Sequence, residues 1–140
     1  MRKPLARIAD FVAALPLEPG MRVLEIGCGP GVAAREVCRR IGHGRVVAID
    51  RSATAIRIAE QASHAECAAG LLELRRIAIE DFVLAVGEPR FDLVFAQRVG
   101  VLDGRYPAGA ALSRIKAALK PDGLLCVDDF PPLVARAIAD

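Results

Sequence analysis

Histidine occurs twice in this chain, tyrosine once and tryptophan not at all. His43 and His64 sit in a turn and on a helix, away from the predicted strand ends, where isolated histidines are surface residues. Tyr106 has Lys116 as its nearest downstream lysine. That spacing disfavours a nicotinamide dehydrogenase, which needs a tyrosine and a lysine close together on one helix. The four cysteines, Cys28, Cys38, Cys67 and Cys126, form no C-x-x-C pair and have no histidine at ligand spacing. A zinc site and a disulfide framework are both disfavoured, and no metal is expected. Free, mostly buried thiols in a reducing cytoplasm are the plain reading.

Charge of one sign is also missing. Lys and Arg number 19 against 17 Asp and Glu, so the net charge of +2 gives no reason to expect a nucleic-acid partner unless it gathers into a patch. Arg39-Arg40 and Arg75-Arg76 read as a solvated helix end and a strand edge. No apolar run is long enough to span a bilayer. Arg7 and Asp10 interrupt the opening segment, so no secretory h-region forms. These absences predict a cytoplasmic protein with no membrane and no nucleic-acid partner.

What is present is an apolar, ordered chain. Hydrophobic residues make up 54% and charged residues 26% of it, which argues against disorder. One domain over residues 1–140 is expected. Apolar spacing predicts a helix over Leu5 to Leu15, ended by Pro16 and Pro19-Gly20. Strands are predicted at Arg22 to Ile26, Arg45 to Asp50, Leu72 to Ile79, Phe91 to Ala96 and Leu124 to Val127. Helices are predicted at Val32 to Ile41, Ala53 to Ala68 and Ala108 to Leu119. Alternating short apolar strands and helices imply a mainly parallel sheet covered on both faces. Ligands of such sheets bind beyond the carboxyl ends of the strands, where strand order reverses. Glu25, Asp50, Asp81 and Ala96 all fall at such ends.

The densest signal is Val23-Leu24-Glu25-Ile26-Gly27-Cys28-Gly29-Pro30-Gly31. A buried strand ends in an acid, glycines follow at every second position, and a helix begins. Glycine leaves no Cβ in the way of a ligand. The helix N-terminus offers free N–H groups to an anionic group. The spacing departs from the dinucleotide pattern G-x-G-x-x-G, because Val32 stands where the third glycine is required.

Glu25-Ile26-Gly27-Cys28-Gly29-Pro30-Gly31 resembles, without a gap, the first motif E/D-x-G-x-G-x-G of the class I S-adenosylmethionine-dependent methyltransferases. The lead-in from Leu17 to Leu24 is also typical of that family. The resemblance implies a Rossmann-like doubly wound sheet with strand order 3-2-1-4-5. It implies S-adenosylmethionine as cofactor, with S-adenosylhomocysteine as product. Glu25 would orient the loop and meet the amino end of the methionine part, with Gly27, Cys28, Gly29 and Gly31 forming the cradle. Asp50 would accept from a ribose diol, although a strand-ending acid is also a turn former. Arg51 would lie across the adenine, or else be a solvated loop charge. Asp81 with Phe82 resembles the acid and the ring-flanking residue of the third strand, with Glu80 as the alternative; Asp81 is also a good helix N-cap.

Phe91 to Ala96 resembles the fourth motif, with Asp92 structural at its start. Ala96 and Gln97 would stand where methyl donor meets acceptor. Arg98, Asp103, Arg105 and Tyr106 follow on a loop; of these, Arg98 and Tyr106 join Gln97 as candidates for acceptor selection. The acceptor implied is a small molecule, since no Asn-Pro-Pro-Tyr-like segment follows the fourth strand. The family carries two more strands after the fifth, and only 128–140 remains here. Pro131-Pro132 is expected to stop the strand, leaving at most a short helix. Two outcomes are expected for the exposed strand-five edge: the C-terminal tail packs over it, or a homodimer forms there. The competing function is a non-catalytic cofactor-binding module, or a subunit whose partner completes the acceptor site.

Overall fold

The computed structural model describes residues 4–102, 104 and 108–139. Helix α1 (Pro4–Ala14) leads into strand β1 (Arg22–Ile26), followed by helix α2 (Val32–Ile41) and strand β2 (Arg45–Asp50). Helices α3 (Ala53–Ala62) and α4 (His64–Ala68) precede strand β3 (Leu72–Arg76). Strand β4 (Phe91–Ala96), helix α5 (Gly109–Ala118) and strands β5 (Leu119–Val127) and β6 (Leu133–Val134) complete the order. The sheet runs β3-β2-β1-β4-β5-β6. Its first five strands are parallel, and β6 is antiparallel to β5.

Alternation along the strands makes two apolar layers. Leu24, Ile26, Val47, Ile49, Val94 and Ala96 face one side, with Ala111 and Ile115 of α5. Val23, Val46, Ala48, Leu93 and Phe95 face the other, with Val12 of α1, Val37 of α2 and Ile56 of α3. Burial on both faces explains why β1, β2 and β4 are nearly continuous apolar runs. The Asp92 carboxylate joins three strands at the opposite end from the glycine loop. It accepts from the Arg22 backbone N–H at 2.8 Å and from Lys120 Nζ at 2.7 Å.

Four elements differ from the sequence expectation. The helix over Ala53–Ala68 is broken at Ser63, which is fully buried and whose Oγ accepts from Arg35 at 2.9 Å. Strand β3 stops at Arg76, and a 3-10 turn (Ile79–Asp81) follows it. Strand β5 starts five residues early, because a register shift opposite Phe91/Leu93 takes Pro121-Asp122-Gly123 into the strand. A Cβ at Gly123 would lie 3.0 Å from the Asp92 carbonyl oxygen, so the bulge favours glycine. Finally, the tail past Pro131-Pro132 forms a sixth strand and a 3-10 turn (Ala135–Ala137) instead of a helix. Of the two expectations for the strand-five edge, the packed tail is the one found at Leu124 and Leu125.

Arg75 lies on β3, the edge strand of the sheet, as expected, but is half-buried and paired. It bonds Glu73 at 2.5 Å and Glu88 at 2.5 Å, and its guanidinium lies 5.9 Å from the Phe82 ring centroid. No helix among the described residues is long and apolar enough to cross a membrane.

Candidate functional site

Strand order reverses between β1 and β4, so the chain segments leaving these strands diverge and open space between them. Three clefts meet there. The first, of about 680 Å³, is lined by Ile26, Gly27, Asp50, Arg51, the Ile77–Glu80 segment and Arg98–Val101. Its volume lies within the roughly 300–1,000 Å³ of small-molecule sites. The second, of about 240 Å³, runs beside the glycine loop and is lined by Glu25, Cys28, Gly29, Ala33, Gln97 and Arg98 among others. The third, again about 680 Å³, lies between α1 and the ends of β4 and β5. Its lining includes Arg7, Asp10, Phe11, Gln97, Asp128 and Phe130. Gly27 is common to the first two clefts, and Arg98 lines all three.

The glycine loop has the left-handed turns its sequence predicts. Gly27 has φ +70°, and a Cβ there would lie 2.8 Å from Val99 Cγ2. Gly31 has φ +87° and caps α2, with no room for a side chain free of Arg35 and Ser63. The loop is tied to β2 from below: Gly27 and Cys28 donate to the Ile49 carbonyl oxygen at 2.9 and 3.0 Å. Arg35 holds it from the side by donating to the Pro30 carbonyl oxygen at 2.9 Å.

Asp50 is placed across the loop from its own strand. Oδ2 accepts from the Gly29 N–H at 2.9 Å, and Oδ1 accepts from the Ser52 N–H at 2.9 Å. Each oxygen keeps a lone pair for a ligand hydroxyl. Glu25 is only 5% exposed. Burial, with the nearby Asp50 charge adding to it, pushes its carboxyl up to about 8 despite a hydrogen bond from the Ala34 backbone. Its Oε1 has no hydrogen-bond partner among the described residues. A buried carboxyl oxygen left unpaired beside a cleft is costly unless a ligand meets it. The residues present therefore fit a ligand carrying a cation near Glu25 and a diol near Asp50.

The remaining predicted residues divide. Arg51 lines the first cleft, and Gln97 lines the second and third. Cys28 lines the second while burial pushes its thiol up to about 12, so it is no nucleophile. Glu80 lines the first cleft; Asp81 is exposed outside it. Phe82 is 2% exposed and packs on Phe91 at 6.3 Å between ring centroids, so no ring face is open to a ligand. The 3-10 turn thus sets Glu80, the alternative acid, on the cleft and turns Asp81 and Phe82 away from it. Ala96 is fully buried and lines none of these three clefts; its carbonyl oxygen accepts from the Asp128 N–H at 3.0 Å. Tyr106, with Asp103 and Arg105, lies outside the described residues. Sequence reasoning missed Asp128, and its only sequence signal is an acid at the end of a buried strand.

Comparison with known proteins agrees with this fold. A family model described as a methyltransferase domain matches residues 23–123. A ubiquinone biosynthesis O-methyltransferase of Rhodopseudomonas palustris (strain TIE-1) is 36% identical over 110 residues, covering 77% of this chain. The chain spans about two-fifths of such curated relatives, since the match covers 39% of that protein. Among solved structures, Haemonchus contortus phosphoethanolamine N-methyltransferase 2, in complex with phosphomonomethylethanolamine and S-adenosylhomocysteine, superposes with a TM-score of 0.71 and 25% identity. That likeness covers 87% of this chain and 27% of the other. The [4+2]-cyclase SpnF also gives a TM-score of 0.71, at 27% identity, over 86% of this chain and 43% of its own.

Proposed function

Because the chain belongs to the class I S-adenosylmethionine-dependent methyltransferase family, we propose that it binds S-adenosylmethionine across the first two clefts and methylates a small molecule in the third. The observation that carries the reading is the unpaired, buried Oε1 of Glu25 beside the open glycine loop. When bound, the cofactor supplies a methyl group already activated on a sulfonium, open to in-line displacement.

The work left to the protein is placement. Glu25 receives the ammonium of the methionine part and lends negative potential to the nearby sulfonium. Asp50 accepts from the two ribose hydroxyls while its Gly29 and Ser52 bonds hold it still. The backbones of Gly27, Cys28, Gly29 and Gly31 let the ligand approach closely. Ile26, Ile49, Ile77, Ile79 and Val99 would give the adenine an apolar slot, with Glu80 at its polar edge and Arg51 available to stack on it. Gln97 and Arg98 divide donor from acceptor, and Phe11 and Phe130 give the acceptor an apolar face. Holding the acceptor atom in line with the methyl group supplies most of the acceleration. A general base is optional: a carboxylate acceptor carries no proton to lose, and a phenol would release its proton to water as the methyl group leaves the sulfonium. The four cysteines are free thiols, which suits a reducing cytoplasm.

The curated relative is named an O-methyltransferase, so oxygen acceptors are the first class to test. The chain should move an isotopically labelled methyl group from S-adenosylmethionine to a phenol or carboxylate in a panel that also contains amines. A chain that binds the cofactor yet labels nothing would favour the second reading, a module or subunit completed by a partner. One observation supports that alternative: Phe130 on the third cleft is 57% exposed.

A further inference from the structure

Among the described residues, two that are not glycine have left-handed backbones, Arg98 at φ 58° and Asp128 at φ 48°. They are bonded to each other. The Arg98 N–H donates to Asp128 Oδ1 at 2.7 Å, and the Asp128 N–H donates back to the Ala96 carbonyl oxygen at 3.0 Å. The link closes the carboxyl ends of β4 and β5, where Ala96 already pairs with Val127.

Left-handed backbone is tolerable for aspartate and asparagine, whose short side chains bond locally, but not for arginine. Such a conformation persists only where its surroundings over-determine it, and it gathers at functional sites. Nothing in the covalent chain of Arg98 holds it there. The short bond from the Asp128 carboxylate is a contact that bears directly on its backbone, and a charged acceptor makes that bond stronger than a neutral one. The position matters, because Arg98 lines all three clefts and Gln97 beside it lines two. A residue held at this backbone angle sends its neighbours' side chains in fixed directions, so the partition between donor and acceptor space is set from β5.

We propose that Asp128 is a positioning residue whose carboxylate holds the Arg98 backbone in the left-handed conformation that forms the wall shared by the three clefts. The role rests on the cofactor-binding reading above. It assigns to the end of β5 a part in binding that no contact with the cofactor is needed to explain.

The test uses the full chain and three variants, Asp128→Asn, Asp128→Ala and Asp128→Gly. Calorimetry reads S-adenosylhomocysteine affinity, and amide hydrogen exchange reads the Arg98 N–H in the ligand-free protein. Asparagine keeps the Oδ1 acceptor and tolerates positive φ, so it should hold affinity within about threefold and keep the amide protected. Alanine should weaken affinity by about tenfold, as expected for a lost charge-assisted hydrogen bond, and release the amide. Glycine relieves strain at position 128 without restoring the acceptor, so it should bind as weakly as alanine while melting no lower. Glycine binding like the wild type, or asparagine binding as weakly as alanine, would overturn the proposal. Should the unaltered chain bind no S-adenosylhomocysteine, the cofactor reading falls and takes the binding role with it. The Arg98 exchange pattern would then still decide the positioning: loss in alanine with retention in asparagine supports it, and equal protection in all refutes it.

Discussion

Burial lifts the Glu25 carboxyl to about 8, and Asp50 adds to the rise, so the free protein carries Glu25 largely protonated at neutral pH. A cation brought to its unpaired Oε1 favours the carboxylate, which means binding releases a proton below that pH. Affinity should therefore climb with pH, by up to about tenfold per unit, and level off above about 8. The folded chain shows the opposite sign. Its raised pKa makes the Glu25 contribution greatest below the ordinary value of 4.5 and lost as pH rises towards 8. Glu25→Gln should flatten the binding profile and cost about tenfold or more in affinity. The same variant should melt higher than the parent at pH 8 and above. Calorimetry and melting across pH read both, and a variant with the parent's pH slope would remove Glu25 from the site.

Asp50 gives a second residue-level prediction. Replacement by alanine removes the acceptor for the Gly29 and Ser52 amides as well as for a ribose diol. S-adenosylhomocysteine affinity should fall by about a hundredfold, while the apolar core around β2 keeps the domain folded. Unchanged affinity would reduce Asp50 to a turn residue.

At the scale of elements, the sequence was readable wherever a strand is buried on both faces or glycine ends a helix. The bounds of β1, α2, β2 and β4 agree with the apolar runs and the glycines that flank them. Reading failed where a tertiary contact outweighs the local pattern. Nothing local announces the break at Ser63, which depends on Arg35 reaching across from α2. Pro121-Asp122-Gly123 carries turn residues yet sits inside β5, because the bulge absorbs them. The segment after β3 was harder to read for a similar reason: β3 ends early, and the 3-10 turn puts Glu80 on the cleft and Phe82 in the core.

The tail is the element with the clearest mechanical consequence. β6 covers β5 at Leu124 and Leu125, Ile138 is 3% exposed in the core, and Lys116 donates to the Ile138 carbonyl oxygen at 2.8 Å. Truncation after Pro132 would strip these contacts and open a strand edge to other chains. We expect a loss of about 2–5 kcal/mol in stability, with concentration-dependent association in light scattering. A truncated chain that melts like the parent and stays monodisperse would show the sixth strand to be dispensable.

For the whole molecule, two apolar layers fix a six-stranded sheet, and the reversal of strand order opens one end of it. Everything assigned to cofactor binding lies at that end, while the Asp92 and Arg22 contacts lock the other. The dinucleotide alternative predicts a different preference from the same scaffold, because Asp50 would suit any adenosine ribose whereas Glu25 suits a cation. The deciding measurement is titration calorimetry of the chain with S-adenosylmethionine, S-adenosylhomocysteine and NAD in parallel. Micromolar binding of the two sulfur ligands and none of NAD is the predicted result. Binding of NAD, or of no ligand at all, would contradict the account.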